Sequence, residues 1–178
     1  MKLRIGFTLV ELLIVIVIIG VLAGAMLLAS GAATASAEAS NIVSNLRSLQ
    51  SASLMFFADH MDPLMAPTVV LANFWNSYNP LDDSPGGEAV QHLVRYTNNP
   101  EAAVWDNYAF HITGAAPLAD SIWWVSAAVN RLDVASRLEG RADSVGLYDD
   151  AHDPVPAGGP DFSGGVGRVY MLIRNPAD

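Results

Sequence analysis

Glu11 has the strongest chemical claim of any residue in this sequence. Leu12–Ala29 carries no charged or hydrogen-bonding side chain, and Phe7–Ala29 is interrupted only by Thr8 and Glu11. An ionisable side chain inside a membrane-length helix costs about 2.5–3.5 kcal/mol on insertion scales, so it is read as functional by default. It needs either a cation or a proton: the first keeps the carboxylate charged, the second leaves a neutral acid unpaired in the apolar run. Further along the same run stand Gly20 and Gly24, separated by Val21-Leu22-Ala23. Small residues four apart share one helical face and let a second helix approach closely in lipid. Glycines are also common in membrane helices generally. Each is about 1 kcal/mol less helix-favouring than Ala, so the same pair marks a place for local loosening.

Elsewhere the chemistry is thin. With no cysteine there is no disulfide scaffold, thiolate metal site or thiol nucleophile. His60, His92, His111 and His152 show no HExxH or comparable metal spacing and read as scattered surface or satisfied histidines. No Gly-x-Ser-x-Gly elbow occurs. Gly164-Gly165-Val166-Gly167 reads as a turn into a strand rather than a phosphate loop. Asp149, Asp150, Asp153 and Asp161 form a carboxylate-rich loop that could hold Ca²⁺. It fails the EF-hand template, because Pro154 stands where Gly is needed and Pro160 where the closing Glu belongs. The alternative is a solvated acidic loop. Trp75, Trp105, Trp123 and Trp124 read as core.

The elements that position Glu11 follow from the distribution of charge and proline. The chain has 178 residues, with 9 Lys+Arg against 18 Asp+Glu and a formal net charge of -9. An acidic chain is a poor nucleic-acid binder, because phosphate contacts need a basic face, so a nucleic-acid partner is not expected. All ten prolines lie between Pro63 and Pro176, leaving residues 1–58 proline-free. As a helix, Phe7–Ala29 would span about 35 Å, enough to cross a hydrocarbon core of about 30 Å. Lys2 and Arg4 precede it, and no basic residue follows until Arg47. That asymmetry keeps the N-terminus cytoplasmic and exports the rest. A conventional secretory signal cleaved near Ala37, at Ala35-Ser36-Ala37, is one reading, with an exported soluble binding or enzymatic domain behind it. A simple single-span anchor is another.

A third reading comes from Met1–Glu11 taken as a unit. Met-Lys-Leu-Arg-Ile-Gly followed by Phe7-Thr8-Leu9-Val10-Glu11-Leu12 resembles the class III leader of type IV pilins and type II secretion pseudopilins. The resemblance covers about residues 1–58. It implies cleavage after Gly6 by a membrane-embedded prepilin peptidase, which also N-methylates Phe7. It implies a structural fibre subunit rather than an enzyme, built into a type IV pilus-like fibre or a secretion pseudopilus. Expected partners are the chain itself or related pilins, the peptidase/methylase, and a membrane assembly platform with its ATPase. The expected location is the inner membrane as a single-pass precursor, then an extracytoplasmic or cell-surface fibre. Cleavage would give Phe7 a charged amine, the obvious counter-charge for Glu11 of a neighbouring subunit. No cofactor is implied, except that major pseudopilins bind calcium in a C-terminal loop, which keeps the acidic loop open as a site. Lack of cysteine removes the C-terminal disulfide loop common in adhesive pilins.

Beyond the membrane the helix should continue. Ala32–Ser40 is Ala-rich, with Gly31 its weak point. Ile42, Leu46, Leu49, Ser53 and Phe56/Phe57 then recur at helical spacing, with Val43 and Leu54 widening the stripe. Asn41, Ser44, Asn45, Arg47, Ser48 and Ser51 fall on the polar side. Asp59, His60, Asp62 and Pro63 end the element. The remainder must pack on that stripe. Asn73–Gly87 reads as loop, Glu88–Tyr96 and Leu132–Arg141 as short helices, and Ile122–Val129, Val145–Tyr148 and Val166–Arg174 as strands. Apolar residues on both faces make the last a central strand. The expected fold is α+β: a long helix against a small antiparallel sheet, the ladle shape that the resemblance also implies. The expected organisation is leader 1–6, transmembrane and assembly helix 7–30, amphipathic continuation 31–58 and head 59–178.

The Gly6–Phe7 junction makes the first prediction. A peptidase that needs a small side chain before the cut should reject Gly6→Leu, leaving an uncleaved membrane-held precursor. Mass spectrometry of the membrane fraction checks it, and normal maturation of the variant would refute it.

Overall fold

Without proline, and with strong helix formers throughout, the N-terminal stretch forms one uninterrupted α-helix. This is α1, Leu9–His60, of 52 residues and about 78 Å in length. The computed structural model describes residues 7–60, 88–98, 103–113, 122–152 and 154–175. Gly20, Gly24 and Gly31 do not break α1. Its two halves have opposite surroundings. Every described side chain from Phe7 to Leu27 is exposed. From Ala35 onward one face is buried: Ala35, Ala39, Ile42, Val43, Leu46, Leu49, Ala52, Ser53 and Phe56. Ser53 sits in this apolar stripe without penalty because its hydroxyl donates to the Leu49 carbonyl at 2.7 Å. Leu54 corrects the expected stripe. It is 49 % exposed, because the buried arc is centred on the Leu46–Leu49 side and Leu54 has rotated past its edge.

Across that face lies a four-stranded antiparallel sheet of order β1-β2-β4-β3. Its strands are β1 Tyr108–Thr113, β2 Ile122–Val129, β3 Leu147–Tyr148 and β4 Gly167–Arg174. Alternate residues point toward α1: Tyr108 and Phe110 of β1, Trp123, Val125, Ala127 and Val129 of β2, Leu147 of β3, Val169 and Met171 of β4. Facing the other way, Ile122, Trp124 and Tyr148 form a second cluster with Ala151, Val155, Tyr170 and Leu172. Because β4 lies between β2 and β3, its two apolar faces are both used. Trp105, Trp123 and Trp124 are all buried; Trp75 lies outside the described residues, as do Asn73–Gly87, Asp62 and Pro63.

Three helical elements complete the head: α2 Glu88–Leu93, continued by a 3₁₀ turn Val94–Tyr96, α3 Leu132–Glu139, and α4 Ala142–Val145. A second 3₁₀ turn, Ala103–Asn107, leads into β1. The strand expected over Val145–Tyr148 begins only at Leu147. Residues 142–145 instead make a helical turn closed by Gly146 at φ 82, a left-handed position that costs a residue with a Cβ. β1 was not anticipated, although Tyr108, Phe110 and Ile112 alternate with Ala109, His111 and Thr113 as a half-buried strand requires.

Polar contacts lock the head to the helix. The Asn45 amide donates to the Tyr108 hydroxyl at 3.0 Å, and the Gln50 amide to the Leu172 carbonyl at 2.7 Å. Burial raises the Tyr108 phenol above its usual range, and the Asn45 bond partly offsets this. Arg131 bridges Glu38 at 2.9 Å and Asp133 at 2.6 Å, and Arg141 donates to the Ser40 hydroxyl at 3.0 Å. Hydrogen bonding to Arg131 holds the Asp133 carboxyl below its usual range. That contribution is present above the ordinary carboxylate range and fades as pH falls through the lowered value. These groups are half-exposed, so the apolar seam matters more.

Leu46 is fully buried at the centre of that seam. Leu46→Ala should cost about 2–5 kcal/mol and lower the thermal midpoint of the detergent-solubilised chain by about 5 °C or more. Ser44→Ala, on the exposed side, should leave the midpoint unchanged. Equal melting of all three proteins would show that the head does not depend on this face.

Candidate assembly site at the helix N-terminus

α1 begins where Thr8 gives it an N-cap. The Thr8 hydroxyl accepts from the Glu11 backbone N–H at 3.2 Å. In return, one carboxylate oxygen of Glu11, Oε2, accepts from the Thr8 backbone N–H at 2.9 Å and from the Thr8 hydroxyl at 2.8 Å. This is a reciprocal capping box, in which two otherwise orphaned N–H groups at a helix start are satisfied by each other's side chains. A carboxylate in the first turn also complements the positive end of the helix dipole. Glu11 is therefore neither bare nor dependent on protonation for a partner. Both hydrogen bonds of its carboxylate, and that of its backbone N–H to a side chain, run to Thr8.

The cap also orients the acid. Both Thr8 donors converge on Oε2, and no hydrogen bond to Oε1 is made among the described residues. One carboxylate oxygen is thus held against its own helix, and the other belongs to an exposed side chain and keeps its acceptor capacity. Phe7 lies just ahead of the cap and is 82 % exposed. Gly6 lies outside the described residues. Thr8 went unremarked as a functional residue, yet Thr-x-x-Glu directly before an apolar run is the signature of such a cap.

Gly20 and Gly24 are open: a Cβ built on either meets nothing within 4 Å. Nothing inside this chain requires glycine there, so any requirement must come from a surface that approaches from outside. The apolar positions around them make the same point. Fifteen large apolar side chains between Phe7 and Leu27 are exposed. At about 1.5–3 kcal/mol each, covering them is worth roughly 20–45 kcal/mol. That exceeds the whole net stability of a domain, about 5–15 kcal/mol. α1 is long and apolar enough to cross a membrane, and none of its most apolar window is buried.

The acidic loop is organised by its own backbone. The Asp149 N–H donates to Asp161 Oδ1 and the Ser163 N–H to Asp149 Oδ1, each at 3.1 Å. The other Asp161 oxygen lies 3.1 Å from His152 Nε2. Asp150 accepts from the Ala151 N–H at 2.7 Å, and Asp153 lies outside the described residues. The carboxylates close the loop rather than converge on one point. No group of three or more His, Cys, Asp or Glu suited to a metal occurs among the described residues.

Residues 1–27 match the prokaryotic N-terminal methylation motif. The segment is a class III prepilin-type motif. It is shared by type IV pilins and pseudopilins, and it supports a type IV pilin-like precursor anchored in the membrane. No curated protein and no solved structure matches the chain. Within the motif lie the Gly6–Phe7 junction, the Thr8–Glu11 cap and the open glycines Gly20 and Gly24.

The cap itself is testable. Thr8→Val keeps the shape and removes the hydroxyl, a loss worth about 1 kcal/mol at an N-cap. Amide exchange at Glu11 in detergent micelles should accelerate about fivefold, while Thr8→Ser, which retains the oxygen, should match the parent. Unchanged exchange in Thr8→Val would refute the capping box.

Proposed function

We propose that this chain is the precursor of a structural fibre subunit, cut after Gly6, methylated on Phe7 and polymerised through the exposed half of α1. The observation that carries this reading is the methylation motif at residues 1–27 overlapping a helix whose apolar half is uncovered at every described side chain. Lipid covers that half in the precursor. In the fibre, neighbouring copies or related subunits take over, with Gly20 and Gly24 admitting close helix contact. The chain is not an enzyme but the substrate of a peptidase/methylase, and an ATPase acting through a membrane platform supplies the work of assembly.

Glu11 gives the process its order. Before cleavage the Phe7 nitrogen is an amide and carries no charge. Cleavage turns it into an amine, which then needs an anion in an apolar bundle, where an isolated charge is strongly disfavoured. The Oε1 of a neighbour's Glu11, steadied by Thr8, meets that need.

The fold also disfavours a secretory signal cut near Ala37. Ala35-Ser36-Ala37 lies inside α1, and Ala35 and Ala39 are both buried against the head. A cut there would take Ala35 out of the core.

The test uses Glu11→Ala and Glu11→Gln. Both should insert and lose residues 1–6 normally, yet yield few or no fibres in a shear-fraction immunoblot, with mature monomer retained in the membrane fraction. Abundant fibres from both variants would contradict charge pairing as the basis of assembly.

A further inference from the structure

Between α1 and the turn that follows α2 lies a cleft of about 480 Å³, lined by residues of α1 from Ser40 to Met55, the buried Val43 among them, and by Tyr96, Thr97 and Asn98. Its chemistry is opposite to that of the chain as a whole. The protein carries 18 acids against 9 Lys+Arg, yet among the described residues no acid lines the cleft and Arg47 does. Arg141 reaches its lower end and donates to Ser40, one of the lining residues. Among the described residues Arg47 makes no ion pair or hydrogen bond, and Ser44, Ser51 and Asn98 likewise leave their side-chain donors uncommitted. The cleft is a concave, cationic, donor-rich surface on an acidic protein, complementary to carboxylates.

We infer that this cleft is the seat of a neighbouring copy's acidic rim, Asp143 with Glu139, in the assembled fibre. The inference rests on the fibre reading above, which supplies a register. If the Phe7 amine of one copy is level with Glu11 of the next, the two helices are offset by four residues, about 6 Å along their axes. Arg47 of one copy then stands level with residue 43 of the other. The head carries a fixed landmark near that height: Arg131 and Arg141 tie it to Glu38 and Ser40. Two residues beyond Arg141 is Asp143, exposed at the start of α4, and Glu139 closes α3 just before it. Neither has an ion pair or hydrogen bond among the described residues. Asp133, on the same rim, is already held by Arg131. The cleft is lined by the same continuous helix whose N-terminal half forms the bundle, so it extends that interface outward to the heads. Charge complementarity of this kind fixes register and excludes wrong partners more than it adds affinity.

Charge reversal in the full-length chain tests the assignment. Arg47→Glu turns the contact repulsive and should reduce sheared fibre at least about tenfold, while mature monomer accumulates at the parental level in the membrane. Arg47→Gln should give an intermediate loss. Adding Asp143→Arg or Glu139→Arg to Arg47→Glu should restore fibre. Parental fibre yield from Arg47→Glu would overturn the cleft as an interface. Loss of fibre rescued by neither acid reversal would overturn the assigned rim. Failure of the parent chain to make fibre at all would instead sink the fibre reading, leaving the two failures distinguishable.

Discussion

A single helix whose interior backbone satisfies itself is the constraint on which the rest of this structure depends. An uninterrupted α-helix such as α1 bonds its interior N–H and C=O groups inside the element, which is the condition for crossing a hydrocarbon layer. It is equally the condition for lying in a protein bundle, or for serving as one wall of a globular core. The chain can therefore pass from one environment to another without rebuilding its longest element. Only the side chains differ: apolar all round from Leu12 to Ala29, then one buried stripe from Ala35 to Phe56. The helix ends need outside help, and at the N-terminus that help is Thr8 and Glu11 acting on each other.

The dual use of Glu11 follows from this. As a cap it ties up one oxygen, offsets the orphaned amides of the first turn and holds the carboxylate in one orientation. As an exposed acid it leaves its other oxygen without a hydrogen bond among the described residues.

Much of this was legible in the sequence because the signals are strongly periodic. The apolar run, the stripe through Leu46 and Leu49, the strand Ile122–Val129 and the helix ended by Gly140 each follow from spacing and punctuation alone. β1 was missed because six residues following a 3₁₀ turn, with His111 among them, give a short and mixed alternation. Leu54 was misplaced because helical position, not hydrophobicity, decides which side is covered. The Thr8 cap was written plainly as Thr-x-x-Glu. The cost of an acid in lipid calls for a distant cation, whereas the first partner of Glu11 lies three residues back. The acidic loop could not have been settled from composition: whether Asp149 and Asp161 gather round a metal or around backbone amides depends on loop closure, here fixed by Ser163 and by the Asp149 amide itself.

The central claim is that Phe7 becomes the terminus from which this helix is built into a fibre. The most direct measurement is the intact mass and N-terminal sequence of the chain isolated from the membrane of cells that process it. The account predicts a polypeptide lacking Met1–Gly6, beginning at Phe7 and heavier by one methyl group on the terminal amine. A polypeptide beginning at Glu38 or its neighbours, or one retaining Met1 in cells that mature other substrates of the same peptidase, would contradict it.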